Sequence, residues 1–173
     1  MAAMKDPQPQ PIYRKDYRPS AYLIDTVELA FRLDEDETTV TATLGIRRRP
    51  GAPAATPLVL DGERLQLRSI EIDGDALPAD RYDTAEATLT VRDVPDAFSL
   101  RTVVAIRPQD NTELAGLYRS GRTFCTQCEA EGFRRISFVM DRGVHMARYQ
   151  TTIEADKALY PGILSNGYRV DAG

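Results

Sequence analysis

Gln127, Glu129 and Glu131 occupy every second position of the run Cys125-Thr126-Gln127-Cys128-Glu129-Ala130-Glu131-Gly132-Phe133-Arg134. An extended backbone there sends these three side chains to one side and Cys128 and Ala130 to the other. An amide and two carboxylates on one face can hold a cation that carries several N–H donors. A peptide amino terminus is such a cation, because an α-amino group has a pKa of about 7.7–8.0 and is mostly protonated at neutral pH. The spacing therefore points to amine recognition. It supplies no bond-breaking chemistry by itself.

The rest of the sequence narrows that chemistry. There is one histidine, His145, and there are two cysteines, Cys125 and Cys128. A zinc-peptidase helix needs two histidines four residues apart plus a glutamate, and a structural zinc site needs four ligands, so this chain cannot hold the metal. A Ser-His-Asp triad has its one imidazole but no G-x-S-x-G elbow. Glycine-rich phosphate loops are absent. Cys125-x-x-Cys128 has redox spacing without the strand-then-helix setting such a pair needs, and reads as two reduced, packed thiols. His145 reads as a surface or satisfied core imidazole.

The net charge of −4 argues against a nucleic-acid groove, which needs a basic excess. Arg47-Arg48-Arg49, just before Pro50, reads as a solvated strand end. No apolar run approaches the roughly 18–20 residues of a membrane span, and the polar, proline-rich start lacks the apolar stretch of a secretory signal. A cytoplasmic location is the expectation, and sparse cysteine fits a reducing compartment.

The elements that must carry these residues are strands. Val27, Leu29, Phe31 and Leu33 alternate with polar or small residues, as do Val40, Ala42, Leu44 and Ile46. Asp34-Glu35-Asp36-Glu37 between them cannot be buried and predicts the turn of a half-buried antiparallel hairpin. Leu58-Val59-Leu60 predicts a short strand. Leu65 and Leu67 fall on one parity and Ile70 and Ile72 on the other, which predicts a β-bulge. Further strands are predicted around Leu89–Val91, Phe98–Ile106, Arg135–Met140 and Met146–Ala155. No stretch shows helical spacing. The chain predicts an all-β fold, a sandwich or barrel, with a tail over residues 1–20 and one β-rich domain over 21–173.

Taken together, the run from Thr126 to Arg134 and the preceding Gly116-Leu117-Tyr118-Arg119-Ser120-Gly121 resemble the N-terminal domain of the bacterial aminopeptidase N family, among the gluzincin zinc aminopeptidases. Tyr13-Arg14-Lys15-Asp16-Tyr17-Arg18 and Tyr160-Pro161-Gly162-Ile163-Leu164-Ser165-Asn166-Gly167 extend the likeness from Tyr13 to the end. The resemblance implies a saddle-shaped antiparallel β-sandwich or open barrel that packs on a thermolysin-like catalytic domain of the same polypeptide. It implies that Gln127 and Glu129 match the family's Gln-x-Glu motif, which binds the free amino group of peptide N-termini and lines the first specificity pocket. It also implies zinc in the full-length enzyme and none in this chain, which is expected to be inactive alone. The sequence departs from the family after Met140-Asp141-Arg142, where Gly143-Val144-His145 replaces a usual proline and loosens the turn.

On these grounds an exposed apolar patch including Phe124 and Phe133 is expected where the catalytic domain would dock. A non-catalytic β-sandwich interaction module and a thiol–disulfide protein are the alternative readings.

Overall fold

The computed structural model describes Tyr13, residues 17–143 and residues 146–171. His145, the Val144-His145 part of the departure, and Arg14-Lys15-Asp16 of the opening motif lie outside the described residues, as does most of the expected tail.

Among the described residues the chain forms eleven strands and no α-helix: β1 (Tyr22–Arg32), β2 (Thr38–Arg48), β3 (Leu58–Asp61), β4 (Gln66–Ile72), β5 (Asp75–Ala76), β6 (Tyr82–Thr84), β7 (Thr88–Val91), β8 (Ala97–Ile106), β9 (Gly116–Ser120), β10 (Thr123–Gln127) and β11 (Arg148–Glu154). They make a six-stranded sheet ordered β11-β1-β2-β8-β4-β5, a three-stranded sheet β3-β7-β6 and the β9–β10 hairpin. The first two sheets bury Leu44, Leu100, Leu58, Leu89 and their neighbours in one continuous core. This is an open sandwich, one of the two architectures, sandwich or barrel, that the alternation predicts.

Period-two burial accounts for the long strands. Val40, Ala42, Leu44 and Ile46 of β2 are buried while the intervening residues are not. The predicted bulge is present, because the β4–β8 register shifts between Leu67 and Ser69. A second bulge interrupts β1 between Ile24 and Thr26, which moves burial from Tyr22 and Ile24 to Val27, Leu29 and Phe31. Thr26 sits opposite Gly45. A Cβ at Gly45 would collide with the Thr26 hydroxyl, so the bulge is matched by the one residue that leaves it room.

Three expectations are corrected. The sheet is not wholly antiparallel, since β11 runs parallel to β1 from Thr26↔Arg148 to Arg32↔Glu154. No strand runs from Arg135 to Met140. Phe133–Arg135 is a 3₁₀ turn, and Ile136 to Met140 are buried one after another, held by the Asp61↔Val139 bridge. A segment buried at every position has no solvent face and so cannot show strand alternation. Finally, Arg48 is no solvated strand end. Its guanidinium lies 4.8 Å from the centre of the buried Tyr22 ring, pairs with Asp96 at 2.7 Å and donates to the carbonyl of Pro53.

Leu44 is 1% exposed at the centre of the middle strand pair. Leu44→Ala is expected to lower the unfolding free energy by about 2–5 kcal/mol, read by urea denaturation followed by circular dichroism.

Candidate functional site

The β9–β10 hairpin carries the candidate residues. Its register runs from Thr123↔Ser120 to Gln127↔Gly116, so Gln127 closes the strand. Beyond it the backbone turns, with the Gly132 amide donating to the Cys128 carbonyl at 2.8 Å and the Arg135 amide to the Gly132 carbonyl at 3.1 Å. Gln127 and Glu129 are exposed and Cys128 between them is half-buried, although the strand ends at Gln127 and Glu129 lies in the turn that follows. Neither the Gln127 nor the Glu129 side chain has a hydrogen-bond or ion-pair partner among the described residues. Both acceptor groups face solvent.

Glu131 does not join them. The extended backbone that would align all three side chains ends at Gln127, and Glu131 lies in the turn with its Oε2 2.8 Å from the Arg134 Nη2. Glu129 lies in the same turn, but unlike Glu131 its carboxylate makes no ion pair among the described residues.

Two glycines explain why the turn forms where it does. A Cβ at Gly132 would stand 2.6 Å from the Gln127 carbonyl oxygen, 3.0 Å from the Cys128 Cα and 3.1 Å from the Gly116 nitrogen. Gly116, at φ +77, would bring its Cβ within 2.7 Å of the Arg135 Cβ. Backbone packs directly on backbone at this crossing, and only glycine allows it.

The segment after the turn is tied to the end of β3. The Asp141 amide donates to the Asp61 carboxylate at 3.0 Å, and the Glu63 amide donates to the Arg134 carbonyl at 2.9 Å. Arg135 reaches Glu63 at 3.1 Å and also pairs with Glu113, holding the Glu113 carboxyl below the usual carboxylate range. Sequence reading missed these arginines and both glycines. Their signals are the Glu131-x-x-Arg134 spacing and glycine at positions where a strand would prefer a side chain.

Behind the turn lies an open cavity of about 190 Å³, lined among others by Cys128, Ala130, Phe133, Asp141 and Tyr149. Burial, reinforced by Asp141, pushes the Cys128 thiol above its ordinary pKa. A redox cysteine needs the opposite shift. Both cysteines are free thiols, and Cys128 opens a turn rather than a helix, so nothing in the geometry favours thiol–disulfide chemistry.

Phe124 and Phe133 do not form the expected strongly exposed patch. Phe124 and Phe133 are half-buried, covered by Tyr160 at 5.1 Å and Tyr149 at 6.3 Å between ring centres. The strongly exposed apolar side chains are instead Met146, Leu164, Tyr168 and Val170. Among the described residues no three His, Cys, Asp or Glu side chains come together as a metal site. No helix among the described residues is long and apolar enough to cross a membrane.

Residues 17–172 match the family model described as the peptidase M1 N-terminal domain. The chain is 48% identical over 170 residues to aminopeptidase N of Caulobacter vibrioides, covering 98% of this chain and 19% of that protein. It is 45% identical over 166 residues to aminopeptidase N of Escherichia coli, covering 96% and 19%. Among solved structures, Legionella pneumophila aminopeptidase A in complex with aspartic acid superposes with a TM-score of 0.85 at 29% identity, over 91% of this chain and 19% of that one. An M1 zinc metallopeptidase from Deinococcus radiodurans shares the fold, with a TM-score of 0.63 at 17% identity over 78% of this chain and 32% of that one. The chain thus spans about one fifth of the length of the curated relatives it matches.

Gly132→Ala is expected to force the Gln127–Cys128 backbone away from the turn and to destabilise the chain by about 1–3 kcal/mol. Thermal melts measure the cost, and amide chemical shifts at Gln127 and Gly116 report the displacement. Because burial raises its pKa, Cys128 stays protonated to higher pH. It is expected to react with iodoacetamide more slowly at pH 8 than a free thiol of pKa about 8.5. Peptide mapping of the alkylated protein reads this directly.

Proposed function

Because the chain belongs to the peptidase M1 N-terminal domain family, we propose that it is the amine-anchoring domain of a zinc-dependent aminopeptidase N. In this reading Gln127 and Glu129 grip the free α-amino group of a peptide and line the first specificity pocket. The zinc is held by a thermolysin-like catalytic domain in the rest of the same polypeptide, and the protein works in the cytoplasm on peptide N-termini.

The observation that carries the reading is a pair of exposed acceptor side chains, at a strand end and in the turn after it, without partners among the described residues and on a backbone fixed by glycine packing. An exopeptidase must tell a chain end from a chain middle, and the charged amine is the difference. Charge-assisted hydrogen bonds from an ammonium to the Glu129 carboxylate contribute about 1.5–3 kcal/mol each once water is excluded. On the open surface of this domain, screening leaves an ion pair of this kind worth about 0–1 kcal/mol. The anchor therefore needs a second wall. The Legionella relative is described in complex with aspartic acid, a ligand that carries such an ammonium, and this supports the assignment.

Glu129→Ala in the full-length enzyme is expected to lower kcat/KM on an aminoacyl anilide by at least about 100-fold, equivalent to about 2.7 kcal/mol of transition-state stabilisation. The melting temperature should stay unchanged, since Glu129 has no partner in the fold. An unaltered kcat/KM would discard the role.

A further inference from the structure

Arg134 is exposed over only 18% of its side chain and joins three segments. Its Nε lies 3.1 Å from Asp141 Oδ2, which also accepts the Arg134 backbone amide at 3.1 Å. Its Nη2 donates to the Asp141 carbonyl at 3.2 Å and to Glu131 Oε2 at 2.8 Å. Its Nη1 stands 3.9 Å from Glu63 Oε1. Asp141 in turn is fastened to Asp61 at the end of β3, so the guanidinium is anchored to the sandwich.

Glu131 is otherwise a surface carboxylate, 61% exposed, two residues beyond Glu129. Pairing with β9 fixes the near end of the turn at Gln127. The Glu131 ion pair fixes its far end. Glu129 lies between these two points and has no partner of its own to orient it.

We propose that Arg134 is a positioning residue for Glu129: it draws Glu131 back onto the sandwich and so sets the path of the backbone that presents the amine-binding carboxylate. This rests on the reading of Glu129 as the amine anchor. A displacement of about 1 Å at such a group costs on the order of 100-fold in rate. The role requires a planar fork, because separate N–H groups serve Asp141 and Glu131 at once, which one ammonium cannot reproduce.

A double-mutant cycle in the full-length enzyme tests it. Arg134→Ala is expected to lower kcat/KM about tenfold or more in the native background and less than about threefold when Glu129→Ala is already present. Equal factors in the two backgrounds would overturn the proposal, because a purely structural contribution is indifferent to Glu129. Arg134→Lys should regain most of the melting temperature while keeping the rate defect, and full recovery of rate would equally overturn it. Should Arg134→Ala fail to fold, Glu131→Ala removes only an exposed partner and enters the same cycle with the same criterion. If Glu129→Ala alone leaves kcat/KM unchanged, the anchor reading itself fails, and the positioning role falls with it.

Discussion

The contact of Gly132 with the Gln127 carbonyl and the Gly116 amide is the constraint on which the site depends. It brings a turn, a strand end and the start of the partner strand together with no side chain between them. Everything chemically relevant follows from that closeness. The chain can reverse straight after Gln127, Cys128 can point into the cavity, and Glu129 can remain at the surface. The ion pairs of Arg134 and Arg135 then hold the reversed segment against the end of β3. Glycine packing and charge pairing act on the same few residues from two sides.

Much of the sandwich was legible in the sequence because burial on one face writes itself as alternation. The β1–β2 hairpin and the β4 bulge are read from the parity of Val27, Val40, Leu67 and Ile70 alone. What failed to show has a common cause. Ile136 to Met140 are buried on all sides, so no period marks them, and the parallel pairing of β11 with β1 is a long-range choice that local pattern does not encode. Arg48 misled because a triple arginine looks solvated, whereas an aromatic ring and an aspartate can both lie under a long side chain.

The candidate site was legible in part and for a different reason. Gln127 and Glu129 stand out by residue type and spacing, but only Gln127 lies in β10, as its last residue. Glu129 and Glu131 continue the pattern in sequence beyond the strand, in a turn where Glu131 is drawn to Arg134. A period-two motif is only as long as the strand beneath it. The arginine that captures Glu131 is visible as a three-residue spacing, yet its importance comes from Asp141 and Asp61, which lie far from one another in sequence.

The parallel β11 has a consequence for how the protein comes into being. β1 and β2 are neighbours in sequence and can pair as soon as both leave the ribosome, whereas the far edge of β1 must wait until residues 148–154 have been synthesised. During that interval β1 presents an open row of amides and carbonyls, the kind of edge that recruits strands from other nascent chains. Bringing β11 to β1 closes a far wider loop than the β1–β2 hairpin and carries a larger closure entropy. Arg148–Glu154 seals that edge, so an open β1 edge and a covered one differ by a single seven-residue strand.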